Sequence, residues 1–178
     1  MPVQVWREKK EIIPYYLTSF FAAAFCGIYA ERLSDHVLRL LLWPHAAAVE
    51  IFFNIKMLYV VQQGYVTADL PMRIGSECSG VGFMCLVFLM LACMFVHRFA
   101  TNRKWIWIVS SALVSFVSGT LLTSMRIIGS IPLLENERFP MFHAGIGICI
   151  YSLGLIVLYN TADRVSQKIV ANGGLSHV

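Results

Sequence analysis

Charge is scarce in this sequence. Asp, Glu, Lys and Arg make up 13% of the 178 residues, against about 25% in an ordinary soluble domain. Hydrophobic residues make up 58%. A water-soluble globule of that composition would carry a surface it could not solvate, which excludes an ordinary cytosolic enzyme, a nucleic-acid-binding module and a disordered tail. Internal repeats, low-complexity tracts and domain linkers are lacking too, so residues 1–178 read as a single polytopic membrane domain. The five cysteines contain no Cys-x-x-Cys, and neither they nor the histidines have zinc-ligand spacing. No metal and no cofactor is expected. Neither end carries a lipidation motif.

What remains is apolar runs. A hydrocarbon core about 30 Å thick takes about 20 helical residues to cross. Runs of that kind occupy about 12–30, 80–97, 105–125 and 143–160. Aromatic anchors stand at several ends: Tyr15 and Tyr16, Trp105 and Trp107, Tyr159. The first run continues past Ala22-Ala23-Ala24 to Ala30, so it reads as a retained span rather than a cleaved signal. A fifth stretch, about 36–61, is interrupted by Arg39, Glu50 and Lys56 and is expected to break at Pro44.

The net charge of +4 says less than where the positive charges sit. Eight of the fourteen basic residues fall in three short segments: Arg7, Lys9 and Lys10; Arg98, Arg103 and Lys104; Arg164 and Lys168. The positive-inside rule makes these segments cytoplasmic, with both termini. Two spans then join the N-terminus to the 98–104 loop, and residues 31–79 stay outside. Within them Leu38, Leu41, Leu42, His45, Val49 and Phe52 approximate one helical face, as an interfacial or re-entrant helix would. Met57–Gln62 and Met72–Ile74 can pair as a short extended hairpin around Gln63-Gly64, and the tail after Ala171 reads as loose. The expected fold is all-α integral membrane: about four transmembrane helices, an interfacial helix and a short extracytoplasmic hairpin or loop.

This topology brings three chemically capable residues to one outer face. Cys78 precedes the second span, Arg126 ends the third and His143 opens the fourth. Helical steps from each run through small residues: Gly82, Cys85 and Ala92 from Cys78; Gly119, Ser115 and Ser111 from Arg126; Gly147 and Gly154 from His143. Membrane helices pack through such faces, so the three are expected to converge. A cysteine at a helix N-terminus beside a cation is a strong nucleophile. A histidine can take the thiol proton and return it to a leaving amine. An arginine holds a developing oxyanion or a carboxylate. Together they read as acyl transfer at a peptide bond, with Cys78 Sγ within about 4 Å of a His143 nitrogen. Glu77, Ser79 and Ser124 are weaker candidates for substrate binding. Asp69, Glu135 and Glu137 read as solvated charges, His45, His97 and His177 as polar helix ends or interface residues, and Cys26, Cys85, Cys93 and Cys149 as packing residues.

At these places the sequence resembles the exosortase/archaeosortase family of membrane cysteine transpeptidase-like enzymes. The matching blocks are Glu77-Cys78-Ser79-Gly80-Val81, Ser124-Met125-Arg126-Ile127 and Phe142-His143-Ala144-Gly145-Ile146-Gly147, in the family's order, within about 71–156. The resemblance implies a bacterial or archaeal cell membrane and a cysteine protease or transpeptidase. Its partner would be a membrane-anchored exported protein with a C-terminal sorting signal, cleaved near that end by Cys78 with Arg126 and His143 in support. Two departures stand out. Many members have more helices, which makes this a small subtype. The family's arginine block often carries an asparagine a few residues earlier, where Leu122, Thr123 and Ser124 stand here. The rival classes are a quinone-linked membrane thiol oxidoreductase, which would need a second thiol beside Cys78, and a non-enzymatic membrane assembly subunit, which assigns Cys78 no role.

Overall fold

The computed structural model describes the backbone of residues 2–30, 32–68 and 70–174, with side chains from residue 12 to 171 apart from 31, 69, 101 and 102. The side chains of Arg7, Lys9 and Lys10, Asp69 and residues 175–178, with His177, lie outside the described residues; of the tail expected to be loose after Ala171, residues 172–174 continue the last helix. The described residues form five α-helices: α1 (Pro2–Ala30), α2 (Asp35–Phe53), α3 (Val81–Phe95), α4 (Thr101–Ser130) and α5 (Phe139–Gly174). All five belong to helical segments long and apolar enough to cross a membrane. Large apolar side chains such as Phe20, Phe21, Leu113, Ile148 and Ile156 stand exposed along them. A helix of this kind needs lipid or protein on every side.

Side-chain contacts give the direction of each helix. Tyr15 clusters with Val96 and Ile108, and Ala23 accepts a contact from Cys85 Sγ at 3.5 Å, so α1 runs antiparallel to α3. Trp107 donates to the Leu91 carbonyl at 3.0 Å near one end of the α3–α4 pair, and Gly119 lies against Met84 nearer the other. Gly119, on the small-residue stripe below Arg126, leaves no room for a Cβ beside Met84, and the α3–α4 approach depends on it. The stripe below His143 behaves likewise, with Gly154 closed over by Leu122 of α4. At the far end Arg98 binds Asp163 at 2.7 Å and Ser166 at 2.8 Å. That contact explains why α5 continues beyond 160: Ala162 and Ser166 are buried there, Ala162 in a cluster with Phe99.

α2 departs from expectation in one respect. Pro44 lies inside the helix and does not end it. Leu42, His45, Ala46 and Val49 on both sides of it are buried on one face, and that burial outweighs the missing backbone hydrogen bond. The face is also rotated from the expected one, since Phe52 is exposed and Phe53 packs inward. The helix stops at Asn54 in the left-handed conformation, φ 53°.

Three short strands follow, not two: β1 (Leu58–Val60), β2 (Gly64–Val66) and β3 (Arg73–Ile74), antiparallel in the order β1-β2-β3. Gln62 and Gly64 both take positive φ, so the chain reverses within three residues and Gly64–Val66 pairs with β1 before Arg73–Ile74 arrives. The sheet lies along α2. Tyr59 donates its hydroxyl to the Asp35 carbonyl at 3.1 Å, and Glu50 accepts the Met57 N–H at 2.7 Å. Tyr65, Ile74 and Met57 join Leu42, Ala46 and Val49 in a core closed by Ile127 of α4 and Ile131 just after it.

Candidate functional site

Cys78 is the last residue of a 3₁₀ turn, Ser76–Cys78, rather than part of α3. Its N–H donates to the Gly75 carbonyl at 2.9 Å and that of Ser79 to Ser76 at 3.1 Å. Gly80 then takes φ 69° and caps α3. Its open side faces Thr123 Oγ1 so closely that a Cβ would not fit. This turn overturns one expectation. The stripe counted from Cys78 meets the inward face of α3 only in part: Ala92 is buried and Cys85 reaches α1, but the other buried residues are Met84, Val87, Leu91 and Phe95, and Gly82 has nothing near it. The left-handed glycine breaks the helical phase, so steps of three or four counted from Cys78 miss most of that face. Cys78 is half-buried against the α2–sheet core. All five cysteines are free.

Arg126 reaches from α4 to α5, at the end of the bundle where α3 begins. Its Nη1 lies 3.5 Å from the Tyr151 hydroxyl and its Cζ 5.6 Å from the Tyr151 ring centre. The side chain crosses Gly147, where a Cβ would come within 2.7 Å of Nε. Tyr151 is held in place by Phe83, stacked at 4.2 Å, and by Thr123 Oγ1 at 3.2 Å from its hydroxyl. His143 stands one turn before Gly147 and stacks on Phe139 at 5.5 Å. The Arg126 charge reaches both Cys78 and His143, and Arg73 and Glu77 also act on Cys78. The direct thiol–imidazole hydrogen bond expected between Cys78 and His143 is not formed among the described residues.

The weaker candidates separate. Glu77 is exposed and pairs with Arg73 at 3.4 Å across one turn, as a solvated charge does. Ser79 and Ser124 are both buried. Ser124 leads to a residue the sequence reading passed over. His45, on α2, is fully buried, and its Nδ1 lies 2.8 Å from Ser124 Oγ, two residues from Arg126. The ring also meets the backbone of Ser79, beside Cys78. One signal for it is legible in the sequence: an imidazole on the apolar face Leu42-His45-Val49 has to find a polar partner.

Among the described residues, three buried side-chain nitrogens have no hydrogen-bond partner: His45 Nε2, Arg126 Nε and His143 Nδ1. All three belong to this end of the bundle. Leaving a buried polar atom unpaired costs about 1–3 kcal/mol each, so such atoms collect where something else is to be bound. The chain matches no family model, no curated protein and no solved structure.

Proposed function

We propose that the chain is a membrane-embedded cysteine protease or transpeptidase that cleaves C-terminal sorting signals of exported, membrane-anchored proteins. The observation that carries this reading is that a free, half-buried thiol and three partnerless side-chain nitrogens belong to the same end of the bundle. Cys78 is the nucleophile. Arg126, braced by Tyr151 and Gly147, stabilises the oxyanion or holds a substrate carboxylate. His143 moves protons on the leaving or attacking group.

The site lies on the extracytoplasmic side of a bacterial or archaeal membrane, with both termini in the cytoplasm. Four crossings, by α1, α3, α4 and α5, fit the helix directions. α1 and α3 are antiparallel, so the chain between them makes no net crossing. The sheet supports the same layout. It runs the length of α2, and open strand edges are not tolerated in hydrocarbon, so α2 and the sheet lie together at the outer interface.

The test is mass spectrometry of Cys78 after co-expression with membrane-anchored exported proteins. A thioester-linked partner fragment on Cys78, absent from Cys78→Ala, is the expected result. Continued processing of the same partner by a folded Cys78→Ala variant refutes the assignment.

A further inference from the structure

The two helices that carry Arg126 and His143 meet over only part of their length. Toward the Cys78 end, α4 and α5 touch at Arg126 with Gly147, at Thr123 with Tyr151 and at Leu122 with Gly154. Toward the other end, α5 is drawn to α3 instead. Arg98 holds Asp163 and Ser166, and Ala162 joins the cluster of Val87, Leu91, Phe95 and Phe99. α4 and α5 therefore part, and a half-open groove of about 490 Å³ lies between them. One wall is braced: the Trp107 indole donates to the Leu91 carbonyl at 3.0 Å and stacks on Phe99 at 4.6 Å.

The dimensions of the groove select its occupant. Its lining runs from Arg103 to Val114 on α4 and from Leu158 to Ile169 on α5. Each stretch covers about 16 Å, which is one leaflet of a hydrocarbon core about 30 Å thick. Spread over that length, the volume leaves a cross-section of about 30 Å², where a helix about 10 Å across would need about 80 Å². A further helix does not fit, and a single acyl chain does. Hydrocarbon in the groove gains nothing over hydrocarbon in the bilayer, so the chain alone confers no preference. Preference has to come from the mouth. Arg103 stands there exposed, in the first turn of α4, with no acidic partner among the described residues. No lining residue is acidic. Asp163, the one carboxylate on this stretch of α5, is neutralised by Arg98, and Lys104 is engaged over the Tyr15 ring at 5.3 Å.

We infer that this groove is a lipid site, which takes one acyl chain of an anionic phospholipid and pairs its phosphate with Arg103. It lies at the end of the bundle opposite Cys78 and does not depend on the reaction proposed there. The bound chain fills the wedge between the two helices that position Arg126 and His143.

The test is native mass spectrometry of the full chain, released from detergent micelles after titration with phosphatidylglycerol or phosphatidylcholine. One phosphatidylglycerol per chain is expected, held about fivefold more tightly than phosphatidylcholine, the preference that one arginine at a membrane surface supplies. Arg103→Gln should bring the two lipids level, and Arg103→Lys should keep the preference. Arg164→Gln, on the same end of α5 but outside the groove, should leave it unchanged. Ser110→Trp, which fills the slot, should release both lipids. Equal retention of the two lipids by the parent overturns the inference, because the groove then holds bulk lipid. Equal loss of preference in Arg103→Gln and Arg164→Gln overturns it as well, because the attraction then belongs to a diffuse basic surface. A dimer that excludes lipid and is broken by Ser110→Trp overturns it in favour of a second copy. None of these outcomes bears on Cys78, whose role stands or falls with the thioester experiment.

Discussion

Gly147→Ala separates stability from activity. In a helix interior alanine is better than glycine by about 0.5–1 kcal/mol, because glycine loses more backbone freedom on folding. At 147, however, a Cβ meets Arg126 Nε at 2.7 Å, Cδ at 3.1 Å and Cζ at 3.2 Å. Ordinary van der Waals contact begins near 3.4 Å, so the middle of the arginine side chain has to withdraw by about 0.7 Å. The side chain is flexible and Nε has no hydrogen bond to break, so the displacement costs little in folding. Net stability should stay within about 1 kcal/mol of the parent. On the proposed function, the guanidinium is thereby moved from the position in which its charge acts on Cys78 and His143. Misplacement of a catalytic group by that much costs up to about 10²-fold, or about 2.7 kcal/mol in barrier. A substrate-free assay exists: compare alkylation of Cys78 by iodoacetate, which carries a carboxylate for Arg126, with alkylation by neutral iodoacetamide. The ratio should exceed that of a free thiol in the parent, fall in Gly147→Ala, and reach the free-thiol value in Arg126→Gln. An unchanged ratio in both variants, with intact folding, would refute the placement of Arg126 at the thiol.

Three other variants probe the frame around the site. Gly80→Ala combines a left-handed φ of 69° with a Cβ driven into Thr123 Oγ1, and should destabilise by about 1–2 kcal/mol from strain alone. Adding Thr123→Ala should relieve the contact and not the strain, which a double-mutant cycle of melting temperatures resolves. Gly119→Ala should loosen the α3–α4 pair where Met84 fills the space, and Met84→Ala should make it tolerable; equal melts with and without Met84→Ala would show that the helices do not meet there. Asp163→Asn removes the partner of Arg98 at the far end of α5 and should cost about 1 kcal/mol in a thermal melt while Cys78 alkylation is untouched. Altered alkylation would mean that the two ends of the bundle are coupled.

The parts of this molecule legible in its sequence are those governed by local rules. Apolar runs locate α1, α3, α4 and α5 because each must satisfy its own backbone and present apolar side chains outward. The runs set the ends poorly. α5 goes on past Asn160 because Ala162 and Ser166 pack on the α3 end, a tertiary reason with no trace in hydropathy. Gly147 and Gly154 are readable as a packing face because a regular helix carries the count down from His143. From Cys78 the same count reaches the buried Ala92 but misses Met84, Val87, Leu91 and Phe95, since Gly80 interrupts the helix between the thiol and α3. Pro44 misleads for a related reason: a proline is a local signal, and burial on both sides of it is not. His45 is the plainest case, because its partner Ser124 stands 79 positions away and nothing near it in sequence names that partner.

That separation also has a consequence in time. Chains are made from the N-terminus at about 5–20 residues per second, so the α2 imidazole waits roughly 4–16 s before Ser124 exists to orient it. Cys78 is made in that interval, ahead of Ser124, Arg126 and His143 alike. Its thiol is synthesised without the guanidinium or the imidazole of the proposed site, and these arrive only with the last two helices. On the proposed function, the order of residues along the chain leaves the thiol without its partners until the last two helices are made, and the site becomes competent last.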